Sequence, residues 1–216
     1  MDVTWLGQSC FRLRGKNAAV ITDPYPPTLG LRLPRQEAEL VTISHEHENH
    51  SYLQAVREGA FEIKGPGEYE VAGVSVIGFP TFHDSEKGAK RGTNTVYLIE
   101  IDDVRICHLG DLGHALDDSD AEIVASVDVL LVPVGSRTAI NAEQAAEVVR
   151  QLEPRFVIPM HYATPGVKVQ LGGVDRFLKE MAVTEVEPVA KLSVQATSAG
   201  EWETKVVVLE PKAEPR

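Results

Sequence analysis

Three histidines, His45, His47 and His50, lie within six consecutive positions directly after the apolar run at residues 40–44. His45 and His47 are two residues apart, so in an extended segment their side chains project to one side and can bind one ion. His50 follows where the chain turns, and it can face a neighbouring ion. Imidazole together with carboxylate is a common ligand set for catalytic zinc, manganese or iron. The segment therefore predicts a metal site, and a histidine-rich polar loop is the alternative interpretation.

The other four histidines also follow apolar, strand-like stretches; they are His83, His108, His114 and His161. Asp111 lies between His108 and His114 and adds a carboxylate to the set. Ligands at the ends of several strands can gather at one rim of a sheet, which is the expected layout for a metal centre on a rigid scaffold. The pattern thus favours one shared site.

The order of these residues resembles the signature of the metallo-β-lactamase-fold hydrolases, which is His-x-His-x-Asp-His, a single His, a Gly-Asp pair and a final His. The corresponding positions of this chain are His45, His47, Asn49, His50, His83, Asp111 and His161. Further motifs at residues 3–7, 22–24, 65–69, 91–95 and 129–135 are similar to the branch of ascorbate-6-phosphate lactonases and related metal-dependent hydrolases. The resemblance covers nearly the whole chain, fades after about Lys179, and implies a four-layer αββα sandwich.

The resemblance also assigns ligands to two metal ions. The ligands of the first ion would be His45, His47 and His83. The ligands of the second ion would be His50 and His161, and Asp111 would bridge both ions. Zinc is the metal that the family implies, while manganese, iron or nickel suit the same ligands.

Asn49 departs from the family pattern, because the family has an aspartate there that binds the second metal and orients the attacking water. An amide offers a carbonyl oxygen, but it carries no charge and cannot accept a proton. Asp111 would then be the single carboxylate for two cations. We expect a weaker second site, with either one-metal operation or an unusual metal content.

Two further groups are candidates for supporting roles. His114 is favoured over His108 as a proton donor in the cleft, since it lies beyond Asp111 in the loop. Asp23 precedes Pro24, where the resemblance implies an acid that hydrogen-bonds a ligand imidazole and fixes its tautomer. An Asp-Pro pair that starts a turn is the alternative for Asp23. The candidate catalytic residues are therefore Asp111, Asn49 and His114.

Basic residues near the predicted cleft could bind a substrate anion; they are Lys87, Lys90, Arg91 and Arg137. Solvated loops are the alternative interpretation for all four. Two divalent ions balanced by one carboxylate and a hydroxide would leave an excess charge of about +2. This excess favours an anionic substrate such as a phosphate ester or a carboxylated lactone.

The composition is that of an ordinary globular protein of 216 residues, with 43% hydrophobic and 25% charged residues, and it fits a single domain over residues 1–216. The net charge of −11 argues against a broad nucleic-acid or anionic-membrane surface. Cys10 and Cys107 have no paired spacing and indicate reduced thiols in the cytoplasm. We expect no leader and no membrane span, and homo-oligomerisation is left open.

The hydrophobic pattern predicts many short strands followed by strand–helix units. The predicted strands are residues 3–6, 10–13, 18–22, 40–44, 61–64, 69–72, 74–78, 95–101, 104–109, 127–134, 156–160, 192–196 and 204–209. Helices are predicted at residues 142–152, with Asn141 as the cap, and at 174–181. The polar tail at residues 211–216 is expected to be frayed.

Three functions follow in order of preference. The first is hydrolysis of a small anionic ester, lactone or phosphodiester by a metal-activated water. The second is a metal-binding protein of the same fold in which Asn49 has ended or redirected catalysis. The third and weakest is a nuclease-type phosphodiesterase. His-Glu-x-x-His, Gly-x-Ser-x-Gly, phosphate-loop and dinucleotide motifs are absent from the sequence.

Overall fold

Two mixed β-sheets face each other in the computed structural model, which describes residues 1–124, 126–197 and 202–215. In chain order the strands are β1 (Asp2–Gly7), β2 (Cys10–Arg14), β3 (Ala19–Thr22), β4 (Leu31–Arg32), β5 (Leu40–Ile43), β6 (Phe61–Lys64), β7 (Gly67–Val71), β8 (Val74–Phe82), β9 (Thr93–Ile101), β10 (Val104–His108), β11 (Val129–Pro133), β12 (Phe156–Met160), β13 (Leu192–Ser193), β14 (Lys205–Val206) and β15 (Glu214–Pro215). The helices are α1 (Asp118–Ile123), α2 (Ala142–Leu152) and α3 (Asp175–Glu180), with 3-10 turns at Pro27–Leu29 and Leu53–Ala55.

The strand directions bring the carboxyl ends of many strands to one edge of the two sheets. The six-stranded sheet has the order β13-β1-β2-β3-β5-β6, and the seven-stranded sheet has the order β14-β12-β11-β10-β9-β8-β7. Strands β1, β3 and β5 run the same way, because β2 is antiparallel to both β1 and β3 while β3 and β5 are parallel. By the same reasoning β8, β10, β11 and β12 share one direction. The loops after these seven strands can therefore form a common site.

The alternation of side chains along the strands explains how the layers pack. In the six-stranded sheet, Trp5 and Phe11 face the core shared with the other sheet. Ile21 and Ile43 face a second apolar cluster under the segment that contains the two 3-10 turns. The predicted sandwich is confirmed. Its outer layer on the six-stranded sheet is short, whereas α2 packs its apolar face against the seven-stranded sheet.

The helix α2 has the predicted bounds and cap. The side chain of Asn141 accepts a hydrogen bond from the backbone N–H of Gln144, and the Gln144 side chain accepts one from the backbone N–H of Asn141. This reciprocal arrangement satisfies two N–H groups that a helix otherwise leaves without partners. Within the described part of the chain, no helix is long and apolar enough to cross a membrane.

The carboxyl-terminal tail corrects one expectation. The described tail is attached to the fold: Glu214–Pro215 pairs with Leu31–Arg32, Ala213 is buried, and the backbone N–H of Lys212 donates to the Trp5 carbonyl at 2.9 Å. Backbone pairing holds a polar segment that hydrophobic pattern alone predicts to be loose. The strands predicted at residues 192–196 and 204–209 are shorter, with two paired residues each. Helix α1 was not predicted.

Candidate metal centre

The predicted ligands meet at the edge where the parallel strands end. His45, His47 and His50 follow β5, His83 follows β8, Asp111 follows β10 and His161 follows β12. Asp111 is the centre of the group: its Oδ1 lies 2.7 Å from His161 Nδ1, and its Oδ2 lies 3.3 Å from His83 Nε2 and 3.7 Å from His50 Nε2. The structure thus brings these side chains together at one edge of the sheets, as the sequence predicts.

Three overlapping triads have ligand atoms within 4.8 Å of one another. They are His45, His47 and His50; His45, His83 and Asp111; and His50, Asp111 and His161. The last triad is buried throughout, whereas His47 is exposed. Asp111 belongs to two triads, as expected for a carboxylate shared between two ions.

Several buried polar atoms in this cluster have no hydrogen-bond partner within the described structure: His45 Nε2, Asp111 Oδ1 and His161 Nδ1. Asp111 Oδ1 and His161 Nδ1 are close, but they are not aligned as a hydrogen bond. Buried polar groups are nearly always paired, so an unpaired set that converges in this way indicates a missing partner. Two imidazole nitrogens and one carboxylate oxygen suit a divalent ion, and the residues present therefore fit a metal site.

Asp23 organises the histidine segment from behind. Its carboxylate accepts hydrogen bonds from the Ser44 backbone N–H at 2.8 Å and from the Ser44 hydroxyl at 2.5 Å. It also lies 2.9 Å from His50 Nδ1, so a proton on that nitrogen leaves Nε2 free to face Asp111. Because the Ser44 hydroxyl donates to Asp23, it accepts from His45 Nδ1, 3.0 Å away, and His45 Nε2 is likewise left free. One carboxylate thus fixes the tautomers of two histidines.

The other ligands are fixed by backbone and amide groups. His83 Nδ1 lies 3.2 Å from the Thr138 carbonyl, which leaves Nε2 toward Asp111. The Asn94 side chain accepts from the Asp111 backbone N–H at 2.9 Å and donates to the Leu109 carbonyl at 3.0 Å. These contacts hold both loops in the orientation that the cluster needs.

Two glycines allow the loop that contains Asp111 to approach its neighbours. A Cβ at Gly110, whose φ is 57°, would lie 2.4 Å from Asn94 Oδ1. A Cβ at Gly113 would lie 2.2 Å from the backbone nitrogen of Asp84. At Gly113 the contacted atom is backbone, which cannot yield as a flexible side chain can, and at Gly110 the positive φ already disfavours a side chain.

The electrostatics of the cluster favour a cation. Burial lowers the pKa of His45 to about 3, so its ring is neutral at neutral pH and can offer a lone pair. Burial alone would raise the pKa of Asp111, but His161 and His50 outweigh it and hold the pKa well below the usual range. Burial lowers the pKa of His50, yet the charge of Asp111 and the contact with Asp23 raise it overall. The negative field that favours a proton at His50 also favours a divalent cation.

The cluster lies at the base of a cavity of about 390 Å³. Asn49 and Gln8 are buried in its lining, and Lys90, Arg91 and Arg137 are exposed members of the lining. Two of the predicted basic residues beside His83 are therefore present at the cavity, whereas Lys87 is not part of its described lining. The cavity is large enough for a small molecule.

The structure corrects the prediction for His114. Its Nε2 accepts from the Phe82 backbone N–H at 3.2 Å, and its Nδ1 lies 2.7 Å from the Ala115 carbonyl. Both ring nitrogens are thus engaged by backbone, and His114 is outside the described lining of the cavity. His108 is fully buried and contacts the Ser9 carbonyl at 2.9 Å, so it too has a structural environment.

Sequence reasoning missed four supporting residues, namely Gln8, Ser44, Asp84 and Asn94. Gln8 directly follows β1, and Ser44 directly follows β5, so the rule that points to the histidines would also have found these two. The Asp84 carboxylate accepts four backbone N–H bonds from the loop that follows it, at distances of 2.8 to 3.0 Å. Such a loop contact leaves no periodic signal in a sequence.

Comparison with known proteins places this geometry in a family. The family described as the beta-lactamase superfamily domain matches residues 2–161. A UPF0173 metal-dependent hydrolase of Thermococcus onnurineus is 30% identical over 193 residues, which are 76% of this chain and 85% of the relative. A UPF0173 protein of Pyrococcus furiosus is 30% identical over 187 residues, or 76% and 84% of the two chains. The crystal structure of a proposed Zn-dependent hydrolase of the metallo-beta-lactamase superfamily from Thermotoga maritima has a TM-score of 0.77 and 36% identity, covering 97% of this chain and 99% of that one.

Proposed function

The chain belongs to the beta-lactamase superfamily domain family and to its UPF0173 metal-dependent hydrolases, and from this premise we propose which reaction the cleft performs. The chain is a metal-dependent hydrolase. We infer that its substrate is a small anionic ester, lactone or phosphodiester, and that one or two divalent ions take part. Zinc is the first candidate, because the Thermotoga maritima relative is described as Zn-dependent.

The observation that supports this proposal most strongly is the convergence of unpaired buried atoms. His45 Nε2, Asp111 Oδ1 and His161 Nδ1 are buried and make no aligned hydrogen bond in the described structure. Leaving a buried polar group unpaired costs about 1–3 kcal/mol, and three such groups together are hard to explain as structural residues. Divalent ions at the two triads that contain Asp111 would together engage all three atoms.

The proposed ligands divide between two positions. The first ion would be held by His45, His47 and His83, and the second by His50 and His161, with Asp111 shared. A bound divalent ion supplies a Lewis acid, which lowers the pKa of a water molecule and polarises the bond under attack. Ser44, Asp23 and Thr138 keep His45, His50 and His83, respectively, in the tautomers that leave lone pairs toward the ions.

The substrate charge is inferred from the cavity walls. Lys90, Arg91 and Arg137 stand at the cavity, and they exceed its acidic residues, Glu46 and Asp111. Bound cations would add to this positive excess. An oxyanion of a phosphate or carboxylate group would be attracted to the same place, since guanidinium groups bind such anions through paired hydrogen bonds.

Asn49 affects which residues can bind the second ion and orient the attacking water. It is buried in the cavity lining, so its amide can accept or donate a hydrogen bond there. It cannot remove a proton from water, and Asp111 is the buried carboxylate that faces the cleft. We therefore assign the ligand and water-orienting role to Asp111, with Asn49 as a neutral hydrogen-bonding neighbour.

The finer assignments of branch, partners and location rest on the sequence. The motifs at residues 65–69 and 91–95 resemble those of the ascorbate-6-phosphate lactonase-like proteins, which supports a phosphorylated lactone as one substrate to test. Cys10 and Cys107 are buried free thiols, which suits a cytoplasmic protein. We propose a small-molecule substrate, with no nucleic acid or membrane partner.

The alternative function is metal binding without hydrolysis, and Asn49 is the observation that favours it. One experiment separates the two functions. Protein purified without added metal is examined by elemental analysis and then screened, with zinc, manganese, iron and nickel, against esters, lactones and phosphodiesters. Asp111→Ala and His161→Ala should each lower metal content and abolish turnover while the protein stays soluble. Activity equal in the wild type and both variants would favour the binding function.

A further inference from the structure

Gln8 is a buried residue of the cavity that the proposed ligand set does not use. It follows β1, whose direction matches that of β3 and β5, so it lies at the same sheet edge as Asp23 and His45. The side chain lines the cavity and the residue is 2% exposed. Its Oε1 is buried and has no hydrogen-bond partner in the described structure. A polar amide in this position therefore calls for a partner that enters through the cavity.

The backbone of Gln8 is held from two sides. Its carbonyl accepts hydrogen bonds from the Trp5 indole at 2.9 Å and from the backbone N–H of His161 at 3.1 Å. The next carbonyl, that of Ser9, accepts from the Thr22 hydroxyl at 3.0 Å. The φ angle of Gln8 is 54°, which is unfavourable for a residue with a side chain and persists only where the surroundings impose it. The backbone of this turn is thus held in place before any ligand arrives.

The type of side chain points to a polar ligand. Leucine has a similar volume and would fill this buried position without an unpaired polar atom. An amide offers both an acceptor and a two-hydrogen donor, and rotation about its last bond can present either one. Because the cavity is lined by Lys90, Arg91 and Arg137, the group that enters it is an oxyanion, which needs donors. Rotation of the Gln8 amide by 180° would place its NH₂ where the unpaired Oε1 now lies, and the NH₂ could then supply a donor.

We propose that Gln8 is a substrate-binding residue whose side-chain amide donates a hydrogen bond to an oxyanion of the substrate, a phosphoryl or carboxylate group. The inference rests on the proposed function, because it takes the cavity to be the place where an anionic substrate binds. It goes further by naming a contact in the turn after β1, a different loop from those of the basic residues. Gln8 then selects substrates that carry an oxygen acceptor beside His161.

The test uses inorganic phosphate as the probe and the metal-loaded full chain as the protein. Isothermal titration gives the phosphate Kd of the wild type and of Gln8→Leu, Gln8→Glu and Ser9→Ala. Ser9 is the matched control, because its hydroxyl is also buried and unpaired in the same turn but is outside the described cavity lining. Hydrolysis of bis(p-nitrophenyl) phosphate adds KM and kcat, and elemental analysis adds metal content.

We expect Gln8→Leu to weaken phosphate binding about tenfold or more, as for loss of a hydrogen bond to a charged group. Gln8→Glu should weaken it further through repulsion, and Ser9→Ala should leave it unchanged. Metal content should stay constant in all variants, and KM should rise more than kcat falls. The melting temperature of metal-free Gln8→Leu should equal or exceed that of the wild type, since an unpaired buried amide is removed.

Four results would overturn the inference. A phosphate Kd of Gln8→Leu within twofold of the wild type would show that the amide contacts only water. Loss of metal in Gln8→Leu, with tighter metal binding in Gln8→Glu, would make Gln8 a metal ligand instead. A clearly lowered melting temperature together with unchanged KM would make it a structural residue. If wild-type protein binds no phosphate, the proposed anionic substrate fails, and the inference fails with it.

Discussion

Replacing Asp23 tests whether a residue that does not bind the metal still supports metal affinity by holding the ligand histidines in place. Asp23 is fully buried, and three donors point at its carboxylate: the Ser44 N–H, the Ser44 hydroxyl and His50 Nδ1. Burial would raise the pKa of Asp23, but the hydrogen bond from His50 and nearby imidazoles lower it overall, so the group is ionised at neutral pH. Asp23→Ala leaves all three donors without an acceptor.

The expected loss follows from these contacts. Each hydrogen bond to an ionised acceptor is worth about 1.5–3 kcal/mol. Because bonds to one carboxylate are not additive, we expect Asp23→Ala to lower the free energy of unfolding of the metal-free protein by about 3–5 kcal/mol, as when one partner of a buried ion pair is removed. Metal affinity should fall about 10–100-fold, because His50 and His45 lose the contacts that fix their tautomers.

Urea unfolding of the metal-free protein and competition against a chromophoric chelator measure the two effects. Asp128→Ala is the matched control: Asp128 is also a buried carboxylate, which accepts from the Arg105 backbone N–H at 2.9 Å, but it lies before β11, at the opposite edge from the metal centre. The control should lose stability and keep its metal affinity. If Asp23→Ala and Asp128→Ala bind metal equally well, Asp23 does not support the centre as argued.

Three further changes test other parts of the site. Asn49→Asp should tighten binding of a second metal ion, since it adds an anionic ligand to the cavity, and metal titration with unchanged stoichiometry and affinity would contradict this. Asp84→Ala should raise KM for an anionic substrate severalfold with little change in kcat, because four backbone hydrogen bonds that shape the loop of Lys90 and Arg91 are lost; an unchanged KM would refute that role. His114→Ala should keep its metal content and activity, as both ring nitrogens contact backbone away from the cavity, and elemental analysis with a kinetic assay checks this.

The sequence contains enough information for the ligand-bearing strands because those strands are buried and their pattern is simple. Residues 156–160 form a continuous apolar run that is β12, and the proposed ligand His161 follows it directly. The helix at residues 142–152 has both an apolar face and a cap at Asn141, so two independent signals agree on its bounds. Where two local signals agree in this way, the bounds of a strand or helix can be predicted to the residue.

Other parts depend on contacts between distant segments and could not be predicted in the same way. The tail residues Glu214–Pro215 are polar, and their strand exists only because Leu31–Arg32 is beside them. The environment of His114 depends on the backbone of Phe82, which lies 32 residues away. Spacing along the chain placed His114 near Asp111, but the direction of its ring is set by that remote contact.

The backbone φ angles at the site could not be predicted from the sequence pattern. Gln8, Asp23 and His161 have φ angles of 54°, 37° and 54°, although none is glycine. Each such residue costs about 1–3 kcal/mol, so the surrounding strands must impose the conformation. All three follow strands of the shared edge, and the His161 N–H is bound by the Gln8 carbonyl at 3.1 Å. The turn holds the proposed ligand His161 through the backbone carbonyl of Gln8, which is why side-chain substitutions at Gln8 should leave metal binding unchanged.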